Sequence, residues 1–143
     1  MQNGIYRAKQ QDNGEWVEGY LYVLGKGSRY EETYILESLD ERETIYDVWK
    51  GANLVTPETV GKFTGVCDVN NKNIFEGDIV RAMMDFGPAG FIENTVPIYW
   101  HNSNDAWKFC YFDISTIEVI GNIYDNPELL GNKEDRYLNG GVH

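Results

Sequence analysis

"KFTGVCDVNNKNIFEGDIV", residues 62–80, has the densest pattern of turn-forming and strand-forming residues in the chain. Asp68 and the asparagines that follow it are turn formers, because their short side chains bond nearby amides and tolerate left-handed backbone. Gly77 before Asp78 predicts a second bend, and the aliphatic pair after it starts a strand. Residues 62–80 are therefore predicted to run strand, turn, strand, a lead-in typical of small β-barrels.

A calcium-binding loop is the first alternative for this acidic stretch. Such a loop needs oxygen ligands at its positions 1, 3 and 5, glycine at position 6 and glutamate at position 12. Counted from Asp68 as position 1, positions 5, 6 and 12 hold Lys72, Asn73 and Ile79, none of which meets the requirement. We therefore predict no metal site here.

A carboxylate pair is the second alternative. Glu76 and Asp78 stand two residues apart and would share one face of a strand. Paired carboxylates catalyse hydrolysis when their surroundings separate their pKa values. Nothing nearby in the sequence supplies a nucleophile or a dependable cation, so a carboxylate-dependent or metal-dependent hydrolase stays open only as the third functional hypothesis.

Histidine and cysteine are scarce. His101 with Cys67 or Cys110 would make a thiolate dyad, but no third residue is available to orient it. Two cysteines give neither a disulfide framework nor the close ligand spacing of a zinc site. We expect two reduced, buried thiols and no cofactor.

The first fifty residues alternate between apolar and polar positions. Strands are predicted on either side of "DNG", residues 12–14, which supplies the positive φ angles of a hairpin turn. In the second strand Val17, Gly19, Leu21 and Val23 form one face. The polar turn at residues 25–29 leads to another strand pair, residues 30–38 and 40–51.

Two short helical turns punctuate the remaining strands. Pro57 favours one turn after a boundary at Thr56. Near the end, Asn126 is predicted as a helix N-cap, Pro127 as the first helical residue and Gly131 as the stop. Between them, residues 91–100 and 106–114 are predicted to form a hairpin.

These patterns predict an all-β, mainly antiparallel fold. An N-terminal β-hairpin lobe, residues 1–58, is expected to pack on a C-terminal SH3-like, barrel-like lobe, residues 59–130. A short helix closes the second lobe, and residues 131–143 form a polar, glycine-rich tail.

The chain of 143 residues carries a formal net charge of −11. An acidic surface repels nucleic-acid phosphates and anionic membranes, so neither is an expected partner. No signal peptide and no membrane-spanning run is visible, which predicts a cytoplasmic protein. A nucleic-acid-associated module, either a single-strand binder or a DNA mimic, is kept as the second functional hypothesis.

Aromatic residues are abundant, with 4 Trp, 10 Tyr and 6 Phe. The aromatic residues of the hairpin predicted at residues 91–100 and 106–114 would stack on bases, bind a peptide or line an oligomer interface. Because a basic groove is missing, we predict an interaction surface for protein, made of Trp100, Trp107, Phe109 and Tyr111.

Two blocks of the chain carry a specific pattern. The first contains a Thr-Gly step, an Asp, and the string Ile-x-Glu-Gly-Asp-Ile-Val, residues 74–80. The second is Gly-Asn-Ile-Tyr-x-Asn-Pro-Glu-Leu-Leu, residues 121–130. Together they resemble the YopX family of phage and prophage proteins, and an opening Tyr-Arg-Ala at residues 6–8 also fits. The motif residues are Thr64, Gly65, Asp68, Glu76, Gly77, Asp78, Gly121, Asn122, Asn126 and Pro127.

The resemblance implies a small, mostly β protein of a phage or an integrated prophage, and it supplies no catalytic residue. The motif residues are turn and packing types, for which we expect structural roles. The first functional hypothesis is thus a non-enzymatic accessory protein in the cytoplasm of the bacterial host. It would act by protein–protein contact, as a homo-oligomer and with an unknown host or phage protein.

Overall fold

The fold was obtained as a computed structural model that describes residues 4–37, 49–99 and 112–131. The chain divides into two compact units, Met1–Phe63 and Thr64–His143. The described residues form antiparallel β-sheets connected by turns and short 3-10 helices. The predicted all-β, mainly antiparallel fold is confirmed.

The first unit is a sheet in which neighbouring strands run antiparallel. Its strand order is β4-β3-β2-β1-β5. The strands are β1 Tyr6–Lys9, β2 Trp16–Leu24, β3 Glu32–Leu36, β4 Ala52–Leu54 and the start of β5 Gly61–Cys67.

The first hairpin forms as its turn sequence predicts. Gly14 has φ 71°, and its N–H donates to the Gln10 carbonyl at 2.9 Å. The alternation of β2 is also confirmed, because Val17 and Leu21 pack against the buried Ala8, Ile35 and Val55. Fully burying a valine or isoleucine side chain, such as that of Val55 or Ile35, contributes about 1.5–3 kcal/mol to the stability of the fold.

The first sheet closes on itself at one end. Gln10 bridges Val55, the Gln11 N–H donates to the Leu54 carbonyl at 3.0 Å, and the Thr56 N–H donates to the Lys9 carbonyl at 2.8 Å. The end of β1 therefore bonds to the chain leaving β4. The predicted helical turn follows as a 3-10 helix, Pro57–Thr59.

The second unit contains its own sheet and core. β7 Asp78–Asp85 lies between β8 Phe91–Pro97 and β9 Glu118–Asn122, while the end of β5 neighbours β6 Asn73–Phe75. Five of its buried hydrophobic residues pack with one another and form a core, made of Ile74, Val80, Ala82, Ile98 and Ile117.

The short closing helix is present as a 3-10 turn, Pro127–Leu130, that ends at Gly131. Two other local predictions are wrong. The Asn126 side chain does not cap this turn, because it bonds to strand β9 instead. The Cys67 thiol is exposed and donates to Asn73 Oδ1 at 3.3 Å, since Val66 and not Cys67 packs against the core.

Three predicted segments lie wholly or partly outside the described residues. These are the strand predicted at residues 40–51, the far strand of the hairpin predicted at residues 91–100 and 106–114, and the tail beyond residue 131. His101 and Cys110 lie outside the described residues too. In the described part of the first segment, residues 49 and 50 are helical, and the strand that pairs with β3 is β4. Closure of the second unit into a barrel depends on the far strand of the predicted hairpin and stays a prediction.

Candidate functional site

Thr64 and Gly65 lie in the middle of β5. The Thr64 hydroxyl donates to the Ile74 carbonyl at 2.8 Å and accepts the Val66 N–H at 3.2 Å. Gly65 has φ 88°, a left-handed conformation that an L side chain rarely adopts. The Thr64 side chain of this Thr-Gly step thereby bonds β5 to β6.

The Asp68 turn, residues 68–72, follows β5. The Asp68 N–H donates to the Lys72 carbonyl at 2.8 Å, and the Asn71 N–H donates to the Asp68 carbonyl at 2.9 Å. Asn71 has φ 63°, so an asparagine supplies the left-handed position, as the sequence predicts.

The Asp68 carboxylate is buried and accepts three backbone hydrogen bonds. Oδ1 accepts from the N–H groups of Asn70 and Lys72 at 2.8 and 2.9 Å. Oδ2 accepts from the N–H of Val119 at 2.9 Å, and the Val69 N–H donates to the Ile117 carbonyl at 2.9 Å. The first motif block is thereby bonded to the strand that carries the second.

The pKa of Asp68 is lowered. Burial by itself raises this pKa, but the N–H groups of Val119, Lys72 and Asn70 and the charge of Lys72 together outweigh burial. A general acid needs the opposite shift, because it must hold its proton near neutral pH. Asp68 therefore acts as a fixed acceptor for the backbone.

Gly77 and Asp78 make the bend that leads into β7. Gly77 has φ 94°, its N–H donates to the Ile98 carbonyl at 2.8 Å, and its carbonyl accepts from Ile123 at 2.9 Å. The Asp78 carboxylate is buried, and its Oδ2 accepts the Phe75 N–H at 2.7 Å. This bond across the turn favours a structural role for Asp78 over hydrolysis with the half-buried Glu76.

The second motif block folds back on β9. Asn126 Oδ1 accepts the Asn122 N–H at 3.2 Å, while the Asn126 N–H donates to the Asn122 carbonyl at 2.8 Å. Asn122 Oδ1 accepts from the N–H groups of Tyr124 and Asp125 at 3.0 and 2.9 Å. The exposed Pro127 then begins the 3-10 turn.

Replacing Gly121 by alanine is expected to lower the free energy of unfolding by about 1–2 kcal/mol. An added Cβ would meet Asn126 Oδ1 at 2.6 Å and Leu129 Cδ1 at 2.8 Å. Urea unfolding measures the loss. In an Asn126→Ala/Leu129→Ala background the same change should cost much less, and an unchanged cost would contradict these contacts as the cause.

The predicted interaction surface of Trp100, Trp107, Phe109 and Tyr111 lies outside the described residues and stays a prediction. Among the described residues, an aromatic cluster of Tyr22, Tyr34 and Trp49 stands out. The Trp49 ring meets both tyrosines edge to face, with centroids 5.5 and 5.3 Å away.

The aromatic cluster lies on the face of β2 and β3 opposite the core. Tyr22 and Tyr34 are direct cross-strand partners, and both Tyr22 and Trp49 are exposed. The Tyr34 hydroxyl donates to Glu32 Oε1 at 2.9 Å, and this bond, with burial and the Glu32 charge, raises the Tyr34 pKa. Alternation in β2 places Tyr22 on this face, but no pattern in the sequence brings Trp49 to it.

Within residues 4–37, 49–99 and 112–131, no three His, Cys, Asp or Glu side chains are grouped so that they could hold a metal ion. In the same part of the chain, no helix has the length and apolar character needed to cross a bilayer. The motif residues of the second unit are engaged mainly with backbone amides and carbonyls.

Comparison with known proteins gives one family. The sequence model described as YopX protein matches residues 5–131 of the 143-residue chain. No curated protein matches the sequence. Because the match covers most of the chain and includes both motif blocks, the chain belongs to the YopX family.

Proposed function

We propose that this chain is a non-enzymatic phage or prophage accessory protein that works by protein–protein contact and associates with itself through the aromatic cluster. The proposal rests on the exposure of Tyr22 and Trp49 on the face of the first sheet opposite its core. Exposed apolar patches mark interaction sites, and Trp and Tyr are the residues that most often dominate binding energy.

The nearly balanced charge of the first unit supports self-association through that unit. Its described residues carry six cationic and seven acidic side chains, so two copies meeting there repel little. An aromatic cluster is also self-complementary, as a twofold interface requires. Edge-to-face pairs across such an interface contribute about 0.5–1.5 kcal/mol beyond the buried area.

A non-enzymatic role is supported by the motif residues. Asp68 and Asp78 are buried and bonded to backbone amides, which leaves them poorly placed to meet a substrate. A role in binding nucleic acid is disfavoured by the net charge of −11.

Trp49→Ala is expected to weaken self-association at least about tenfold, because it removes the ring that joins the two tyrosines. Size-exclusion chromatography with light scattering over a range of concentrations measures it. Tyr30→Ser is the matched control, since Tyr30 is 73% exposed but lies outside the cluster. A monomeric wild type, or equal association of wild type and Trp49→Ala, would overturn the proposal.

A further inference from the structure

The hairpin of β7 and β8 ends in an exposed apolar tip. The two strands pair continuously from Ile79 opposite Pro97 to Asp85 opposite Phe91. Along β7 the buried core residues end at Ala82. The hairpin tip, residues 85–92, then exposes three large apolar side chains, Phe86 by 45%, Phe91 by 56% and Ile92 by 46%.

The hairpin tip is held in one conformation by its own bonds. Asp85 Oδ1 accepts the Gly87 N–H at 2.8 Å, the Phe86 N–H donates to the Gly90 carbonyl at 2.9 Å, and Gly90 bonds back to Gly87 at 2.8 Å. Pro88 lies inside this 3-10 turn and restricts it further. Ordering before binding lowers the entropic cost of association.

The apolar tip stands in a strongly acidic unit. The only two cationic side chains among the described residues of this unit are Lys72 and Arg81, and Arg81 bonds Glu118 at 2.7 Å and lies 3.9 Å from Glu93. Its nine acidic residues in the same ranges are Asp68, Glu76, Asp78, Asp85, Glu93, Asp113, Glu118, Asp125 and Glu128.

We propose that the hairpin tip is a binding surface for a basic protein segment, one that presents an apolar side chain between Lys or Arg residues. Phe86 and Phe91 supply the apolar contact, and Phe91 lies opposite Asp85 on the face that also carries Glu93. Asp85 and Glu93, both exposed on the same hairpin, supply the charge that a cationic segment complements. A second copy does not fit, because a twofold contact at the tip would set these carboxylates against their own copies.

The test is a selection of random peptides displayed on a carrier against the full-length protein. Peptides that also bind the support without the protein are removed. The surviving peptides should combine net positive charge with aromatic or aliphatic residues. Their affinity should fall at least about tenfold in the Phe86→Ser/Phe91→Ser variant and stay unchanged in Tyr30→Ser.

A second variant separates charge from apolar contact. Asp85→Asn/Glu93→Gln keeps an acceptor for the Gly87 N–H, so the tip conformation should survive, but peptide affinity should fall and lose most of its salt dependence. Peptides without a basic bias, or with affinity indifferent to both double variants, would overturn the proposal. A change of oligomeric state in the Phe86→Ser/Phe91→Ser variant would also overturn the proposal, because the tip would then contact a second copy. The Trp49→Ala test of the aromatic cluster does not depend on this result.

Discussion

Gly19→Ala is expected to lower the free energy of unfolding by about 3 kcal/mol, because the new methyl group collides with backbone. Gly19 is buried in the middle of β2, and a Cβ built there overlaps the carbonyl oxygen of Leu36 and touches a methyl of Ile35. Backbone cannot move aside as a flexible side chain can. The pairing of β2 with β3 must shift, and the core around Ile35 shifts with it.

Amide hydrogen exchange measures this effect by region. Protection should fall for the amides of β2 and β3, while the core strand β7 of the second unit serves as the internal reference. Gly27→Ala is the matched control: Gly27 has φ 85° and open space around it, so only backbone strain of about 1 kcal/mol is expected. Equal losses for both variants would contradict a collision at Gly19.

Asp68→Ala is expected to cost about 3 kcal/mol, because it leaves three backbone N–H groups without their acceptor. Two of these belong to the Asp68 turn and the third to Val119 in β9. Urea unfolding measures the loss. Asp113→Ala is the matched control, because the Asp113 carboxylate accepts its bonds from Ser115 in its own turn, at an exposed site, and its loss should cost about 1 kcal/mol.

The contribution of the Asp68 carboxylate to the free energy of unfolding should also depend on pH. The folded-state pKa of Asp68 lies below its ordinary value of 3.8, so the folded protein binds this proton less tightly than the unfolded chain does. The stabilisation is complete above the ordinary pKa and is lost as pH falls through the folded-state pKa. The difference in stability between wild type and Asp68→Ala should therefore be constant near neutral pH and shrink below about pH 4. A difference independent of pH would show that the charge is irrelevant.

The turns and strands near the motifs were predictable because their signals are local. A left-handed asparagine among Asn70, Asn71 and Asn73, a Gly-Asp bend before β7 and alternation in β2 each depend on a few neighbouring residues. Hydrogen bonds between residues far apart in the sequence were not predictable in this way. The Asp68 bond to Val119 spans 51 positions, and no spacing in the sequence announces it.

The wrong predictions have the same physical origin. Asn126 is a good N-cap by residue type, but strand β9 offers its side chain another N–H, that of Asn122. Cys67 is a residue that proteins usually bury, but it follows Val66 at the end of β5, and only Val66 faces the core. In both cases a tertiary contact overrode a local preference.

The closure between the end of β1 and the chain after β4 also bears on aggregation. A free sheet edge is a template on which another extended chain can add as an extra strand, the first step towards fibrils. Here Gln11 occupies the carbonyl oxygens of both Leu54 and Val55, one through its backbone N–H and the other through Nε2 at 3.1 Å. These two carbonyl groups are already bonded within the chain, so this stretch of edge does not offer them to an incoming strand.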